Sequence, residues 1–117
     1  MPTAQLISPP TVIAGTIQQA GDVDYYKFTA KAGSILSVVC TTQGLGSNLD
    51  SIVEILDSKG NLIAANDQNG LSPDLYPQND SFVQMVLPAD DTYYIVVVDF
   101  YNQGGPTWSY RLHVKLM

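Results

Sequence analysis

Tyr110-Arg-Leu-His-Val-Lys-Leu116 decides the fold class. Tyr110, Leu112, Val114 and Leu116 alternate with Arg111, His113 and Lys115, and a period of two places the first set on one face of a strand and the second on the other. Upstream, Tyr93–Asp99 and Phe82–Leu87 are apolar runs of strand length, rich in β-branched and aromatic residues. Ser51–Leu56 and Asn61–Ala65 flank Asp57-Ser-Lys-Gly-Asn61, a hairpin turn in which Gly60 takes the positive-φ position. Ile35–Thr42 is a continuous β-branched run and reads as a strand buried on both faces. In Val23–Ala30, Tyr26 and Phe28 share one face, while Tyr25, Lys27 and Thr29 share the other. Thr11–Ile17 supplies a first short strand. About eight short strands, separated by Gly, Asn, Asp and Pro clusters and with no amphipathic helical period, predict an all-β fold: an antiparallel β-sandwich of jelly-roll type. The expected core is Tyr26, Phe28, Val39, Val53, Ile55, Ile95, Val97, Leu112 and Val114.

The 117 residues form one domain, 1–117, large enough to bury about two thirds of the surface of the unfolded chain. The chain also reads as a module of a longer protein. Its formal net charge of −6 and its five cations, Lys27, Lys31, Lys59, Arg111 and Lys115, exclude a nucleic-acid backbone surface, which needs clustered Lys and Arg. No apolar run reaches the ~18–20 residues of a membrane span, and Met1-Pro-Thr-Ala-Gln5 lacks the basic and apolar regions of a signal peptide. Cys40, the single cysteine, lies in an apolar run and reads as a buried thiol. A monomer is expected.

Catalytic chemistry finds little support. The only histidine, His113, falls on the outward face of the last strand between two cations, a poor place for a triad base. One His and one Cys do not make a zinc site. Gly44-Leu-Gly46 lacks the third glycine of a dinucleotide loop. Only one acidic residue, Glu54, is a glutamate, and the aspartates cluster near predicted turns. The expectation is that the domain is not an enzyme.

Between Asn48 and Ser81, Asp and Asn recur at nearly every turn. Short carboxylates in loops either close Asx turns or grip hard cations through oxygen. An EF-hand aligned on Gly70 fails, because Ala65 would occupy its first position and Tyr76 its twelfth, where a bidentate Glu is needed. A calcium site must therefore be assembled from separate loops. Asp50 precedes one strand, Asp67 follows its hairpin partner, and Asp80 precedes the next strand. In an antiparallel meander these positions fall at one end, so Asp50, Asp67 and Asp80 are the first candidate calcium ligands. Asp22 and Asp24 form a second candidate pair, and Asp57 reads as a turn residue.

Gly21-Asp-Val-Asp-Tyr-Tyr-Lys-Phe-Thr-Ala-Lys-Ala-Gly33, Leu49 to Asp67, and Thr92-Tyr-Tyr-Ile-Val-Val97 together resemble the bacterial pre-peptidase C-terminal domain, over about Gly15 to Val114. The resemblance implies a jelly-roll sandwich acting as a non-catalytic accessory module beside secreted proteases and other extracellular enzymes. It also implies a secreted or cell-surface location. Its relatives in clostridial collagenases bind calcium and collagen, and there the position of Asp22 and Asp24 shares calcium with an acidic segment just upstream. Here residues 1 to 21 hold no Asp or Glu, and Asp91 stands where the family usually has Gly. The expected partners are an extracellular polymer or a neighbouring catalytic domain. Tyr25, Tyr94, Tyr101 and Trp108, at positions that read as outward, suit a flat polymer. The alternative is a purely structural stalk or capping domain of a larger surface protein.

Overall fold

The computed structural model describes residues 4–19, 23–42, 51–66, 81–99, 104–105 and 108–117. Its strands are β1 (Gln5–Leu6), β2 (Thr11–Thr16), β3 (Asp24–Ala30), β4 (Ile35–Thr41), β5 (Ser51–Leu56), β6 (Leu62–Asn66), β7 (Ser81–Val86), β8 (Asp91–Asp99) and β9 (Ser109–Leu116). They make two sheets, a five-stranded one in the order β1-β3-β8-β5-β6 and a four-stranded one in the order β2-β9-β4-β7. Among the described residues there is no helix, so the expected antiparallel β-sandwich is what forms. The exception to antiparallel pairing is the two-residue β1, which lies parallel to β3 at the edge of its sheet.

Alternation is what closes the sandwich. Tyr110, Leu112 and Val114 of β9 turn inward and are at most 1% exposed, and Leu116 packs at the margin of the core. From the other sheet, Phe28, Val53, Tyr93, Ile95 and Val97 meet them. The rings of Phe28 and Tyr93, on paired strands, stack with centroids 5.9 Å apart.

Val39 departs from the expected core. Leu36, Val38 and Cys40 are the inward residues of β4 and are fully buried, whereas Ile35, Ser37, Val39 and Thr41 lie half-buried on the outer face. The strand is therefore buried on one face, not both. Hydropathy could not choose the face, because both members of the Val38–Val39 pair are apolar; pairing did. Val39 sits opposite His113 on one side and Phe82 on the other, so it shares their outward face.

Replacing Val38 by Ala should cost about 2–4 kcal/mol, as for a core cavity, and replacing Val39 less than about 1 kcal/mol. Urea unfolding of the two variants measures this. An equal or larger cost at Val39 would mean that the register is shifted by one residue.

Candidate metal ligands and sheet faces

At one end of the sandwich, polar side chains tie the two sheets together. Asp24 opens β3 in the five-stranded sheet, and its Oδ2 accepts a hydrogen bond of 2.5 Å from the hydroxyl of Tyr110, on β9 of the other sheet. The Tyr110 oxygen lies 2.5 Å from the hydroxyl of Tyr26. Since Tyr110 gives its one proton to Asp24, Tyr26 donates to Tyr110. Gly15, opposite Tyr110 on β2, leaves the room this needs, because a Cβ there would overlap the tyrosine ring and hydroxyl. Burial, then the bond to Asp24, pushes the Tyr110 phenol far above its ordinary range, and burial raises Tyr26 as well.

A second tie is built from serines. Ser81 of β7 donates to the carbonyl of Ser51 on β5 at 2.6 Å, and the two hydroxyl oxygens are also 2.6 Å apart. Ser81 has then used its proton, so Ser51 donates to it. Both are fully buried. Beside them, Asn66 Oδ1 accepts the amide of Phe82 at 3.4 Å. Asp99, across from Ser51 in the β5–β8 pairing, is 3% exposed.

These ties bear on the predicted metal ligands. Of the five, Asp24 is described, and its carboxylate holds Tyr110. Asp50, Asp67, Asp80 and Asp22 lie outside the described residues. Among the described residues, no three of His, Cys, Asp and Glu are grouped as metal ligands. Of the chain neighbours of the first trio, Ser51, which follows Asp50, and Ser81, which follows Asp80, bond to each other, while Asn66, which precedes Asp67, accepts the amide of Phe82, the residue after Ser81. Asp99, in sequence only the polar last residue of the Tyr93–Asp99 run, is a further buried carboxylate at this end.

Turn chemistry governs the opposite end. Asp57 Oδ1 accepts the amides of Lys59 and Asn61, each at 2.9 Å, so the carboxylate closes the hairpin turn as expected. Gly60 there has φ 84°. Asp91 accepts the Ser58 hydroxyl at 2.9 Å and so pins the hairpin to β8. The Asn61 amide holds the Asp57 carboxyl below the usual range, and the Ser58 hydroxyl does the same for Asp91.

The outer faces differ in charge. On the five-stranded sheet, Tyr25 and Tyr94 are half-buried, Tyr94 opposite Lys27 and Tyr25 opposite Val96. Trp108, expected outward, instead packs against the core, its indole nitrogen buried with no hydrogen-bond partner among the described residues. Tyr101 lies outside the described residues. On the four-stranded sheet, Arg111, His113 and Lys115 run along the central strand β9, and a shallow depression of about 340 Å³ is lined by Ser37, Val39, Thr41, His113 and Lys115. No carboxylate on β2, β4, β7 or β9 orients His113 as a base.

The family model of the bacterial pre-peptidase C-terminal domain matches residues 22–99. The chain belongs to this family. Among solved structures it is similar to the pre-peptidase C-terminal domain of a collagenase from Bacillus anthracis, at 19% identity and a TM-score of 0.72, covering 97% of this chain and 95% of that one. It is also similar to PliG of Aeromonas hydrophila, a periplasmic inhibitor of g-type lysozyme, at 18% identity and a TM-score of 0.71, covering 98% and 96%. PliG of Salmonella Typhimurium follows at 17% identity and 0.62, covering 97% and 98%. No curated protein sequence matches the chain significantly. At these identities the likenesses establish the fold. Among the described residues no helix is long and apolar enough to cross a membrane.

The raised tyrosines set a pH dependence. Tyr110, and to a lesser degree Tyr26, hold their protons more tightly in the folded state than in the unfolded chain, where they ionise near pH 10. Their contribution is fully present below about pH 10 and declines above it, by about 1.4 kcal/mol per pH unit for each tyrosine that titrates only when unfolded. Tyr110→Phe should cost about 1–3 kcal/mol at neutral pH and flatten the alkaline decline. Urea melts from neutral pH to pH 11 measure both, and an unchanged slope would contradict the assignment.

Proposed function

We propose that this domain is a non-catalytic accessory module of a secreted or cell-surface bacterial protein, stabilised by calcium, that binds an extracellular polymer or supports a neighbouring enzyme domain. Membership of the pre-peptidase C-terminal domain family carries this reading. The internal polar chemistry agrees with it. Asp24, Tyr26, Tyr110, Ser51 and Ser81 join the two sheets, and Asp57 and Asp91 close turns. His113 lies on an outer face between cations, on a sheet whose described strands carry no carboxylate.

The calcium part of the proposal places one ion between Asp50, Asp67 and Asp80. Its support is the bonding of Ser51 to Ser81, the chain neighbours of Asp50 and Asp80, and of Asn66, the neighbour of Asp67, to the amide of Phe82 beside Ser81, at one end of the sandwich. Carboxylates that share one site repel one another unless a cation sits between them. A second ion at Asp22 and Asp24 would have to share Asp24 with Tyr110.

Calcium that favours the native state at a hundredfold excess over Kd adds about 2.7 kcal/mol, which for a domain of this size raises Tm by roughly ten degrees or more. Thermal melts in EDTA and in calcium, on the natural chain and on Asp67→Ala, test this. The natural chain should shift and the variant should not. If the natural chain does not shift, the aspartates are turn residues; if both shift equally, the ion lies elsewhere.

A further inference from the structure

The four-stranded sheet carries its charge in an unusual way for this chain. Eleven acidic residues outnumber five cations, yet β2, β4, β7 and β9 contain no Asp or Glu at all. Two of the five cations and the only histidine sit together on the outer face of β9. Among the described residues none of Arg111, His113 and Lys115 is paired with a carboxylate. A solvated face in an acidic protein ordinarily mixes both signs, since interspersed charges limit self-repulsion.

The face is also partly apolar. Pairing aligns Val12, His113, Val39 and Phe82 in one row across all four strands, a span of about 14 Å at ordinary strand spacing. Val12 and Val86, on the two edge strands, are 59% and 61% exposed. Ser37 and Thr41 lie opposite Lys115 and Arg111 on β4, adding hydroxyls beside the cations.

We infer that this face docks an extended, acidic polypeptide segment, with Arg111, His113 and Lys115 meeting its carboxylates and Val12, Val39 and Phe82 meeting its apolar side chains. The inference deepens the accessory-module reading and rests on it for the existence of a binding role. Charge complementarity selects the sign of the partner. Spacing selects the class: alternate residues of an extended peptide repeat at about 6.8 Å, the repeat of Arg111, His113 and Lys115 along their strand. A sugar chain normally stacks on aromatic rings, and among the described residues of this face the one aromatic is Phe82, on edge strand β7.

The test uses the whole chain and a fluorescent peptide of alternating glutamate and threonine, with fluorescence anisotropy as the readout. The expected result is binding at low ionic strength that weakens as salt rises to about 0.3 M, where the screening length is only a few ångströms. Arg111→Gln with Lys115→Gln should weaken it about tenfold or more. Lys27→Gln with Lys59→Gln removes the same charge elsewhere and should change it by less than about twofold; thermal melts verify that both variants are folded. Equal losses in the two double variants would mean that only net charge is sensed, and would overturn the assignment of the face. Tighter binding of alginate, a polyuronate, than of the peptide would overturn the polypeptide class. Absence of peptide binding together with binding of a neutral polysaccharide such as amylose would sink this inference and leave the accessory-module reading standing. Binding of neither would count against both.

Discussion

The hydrogen-bonded line from Asp24 through Tyr110 to Tyr26 is the constraint on which the rest of the sandwich depends. Two apolar sheet faces attract without direction, since burial of hydrocarbon fixes neither their spacing nor their slide. Polar groups placed between them do, because a buried hydroxyl or carboxylate left without a partner costs more than a well-made bond returns. Tyr26 belongs to one sheet and Tyr110 to the other, so their contact sets the separation at this point. Gly15 is the complement, a position where a side chain would push Tyr110 away from Asp24. Ser51 and Ser81 repeat the device between β5 and β7. Both ties sit at the end from which Asp50, Asp67 and Asp80 depart in sequence, so the sheets are fixed where the acidic loops begin.

With the interior given over to holding the sheets together, the outer surfaces are where this chain's chemistry varies. The two faces offer different chemistry. The five-stranded sheet presents Tyr25, Tyr94, Lys27 and Glu54, a mixed and aromatic surface. The four-stranded sheet presents cations, hydroxyls and valines without any acid. The same sandwich is found in a collagenase domain and in inhibitors of lysozyme, and a fold shared by proteins so different does not by itself specify a function.

Much of this was legible in the sequence where one residue type excludes the alternatives. The β9 alternation survives because Arg111, His113 and Lys115 cannot all be buried, and Asp57 with Gly60 specifies its turn from neighbours within four residues. Legibility fails where the deciding contact is remote. Val38 and Val39 are chemically the same, and only pairing with β7 and β9 tells them apart. The role of Asp24 depends on a tyrosine 86 positions away, and no local pattern announces it. Trp108 looks like a surface aromatic by its polar surroundings in the chain, yet backbone bonds of Ile17 to Trp108 and of Gly105 to Ile17 fold its segment against the core. Asp91 read as a departure from the family pattern and proves to hold Ser58.

The most direct test is a double-mutant cycle on Asp24→Ala and Tyr110→Phe, with urea unfolding in EDTA so that no metal contributes. If the two residues form one tie between the sheets, the second substitution removes little that the first has not already removed. The cycle should then give a coupling of about 1 kcal/mol or more. Costs that add to within about 0.3–0.5 kcal/mol, the behaviour of independent sites, would contradict the account.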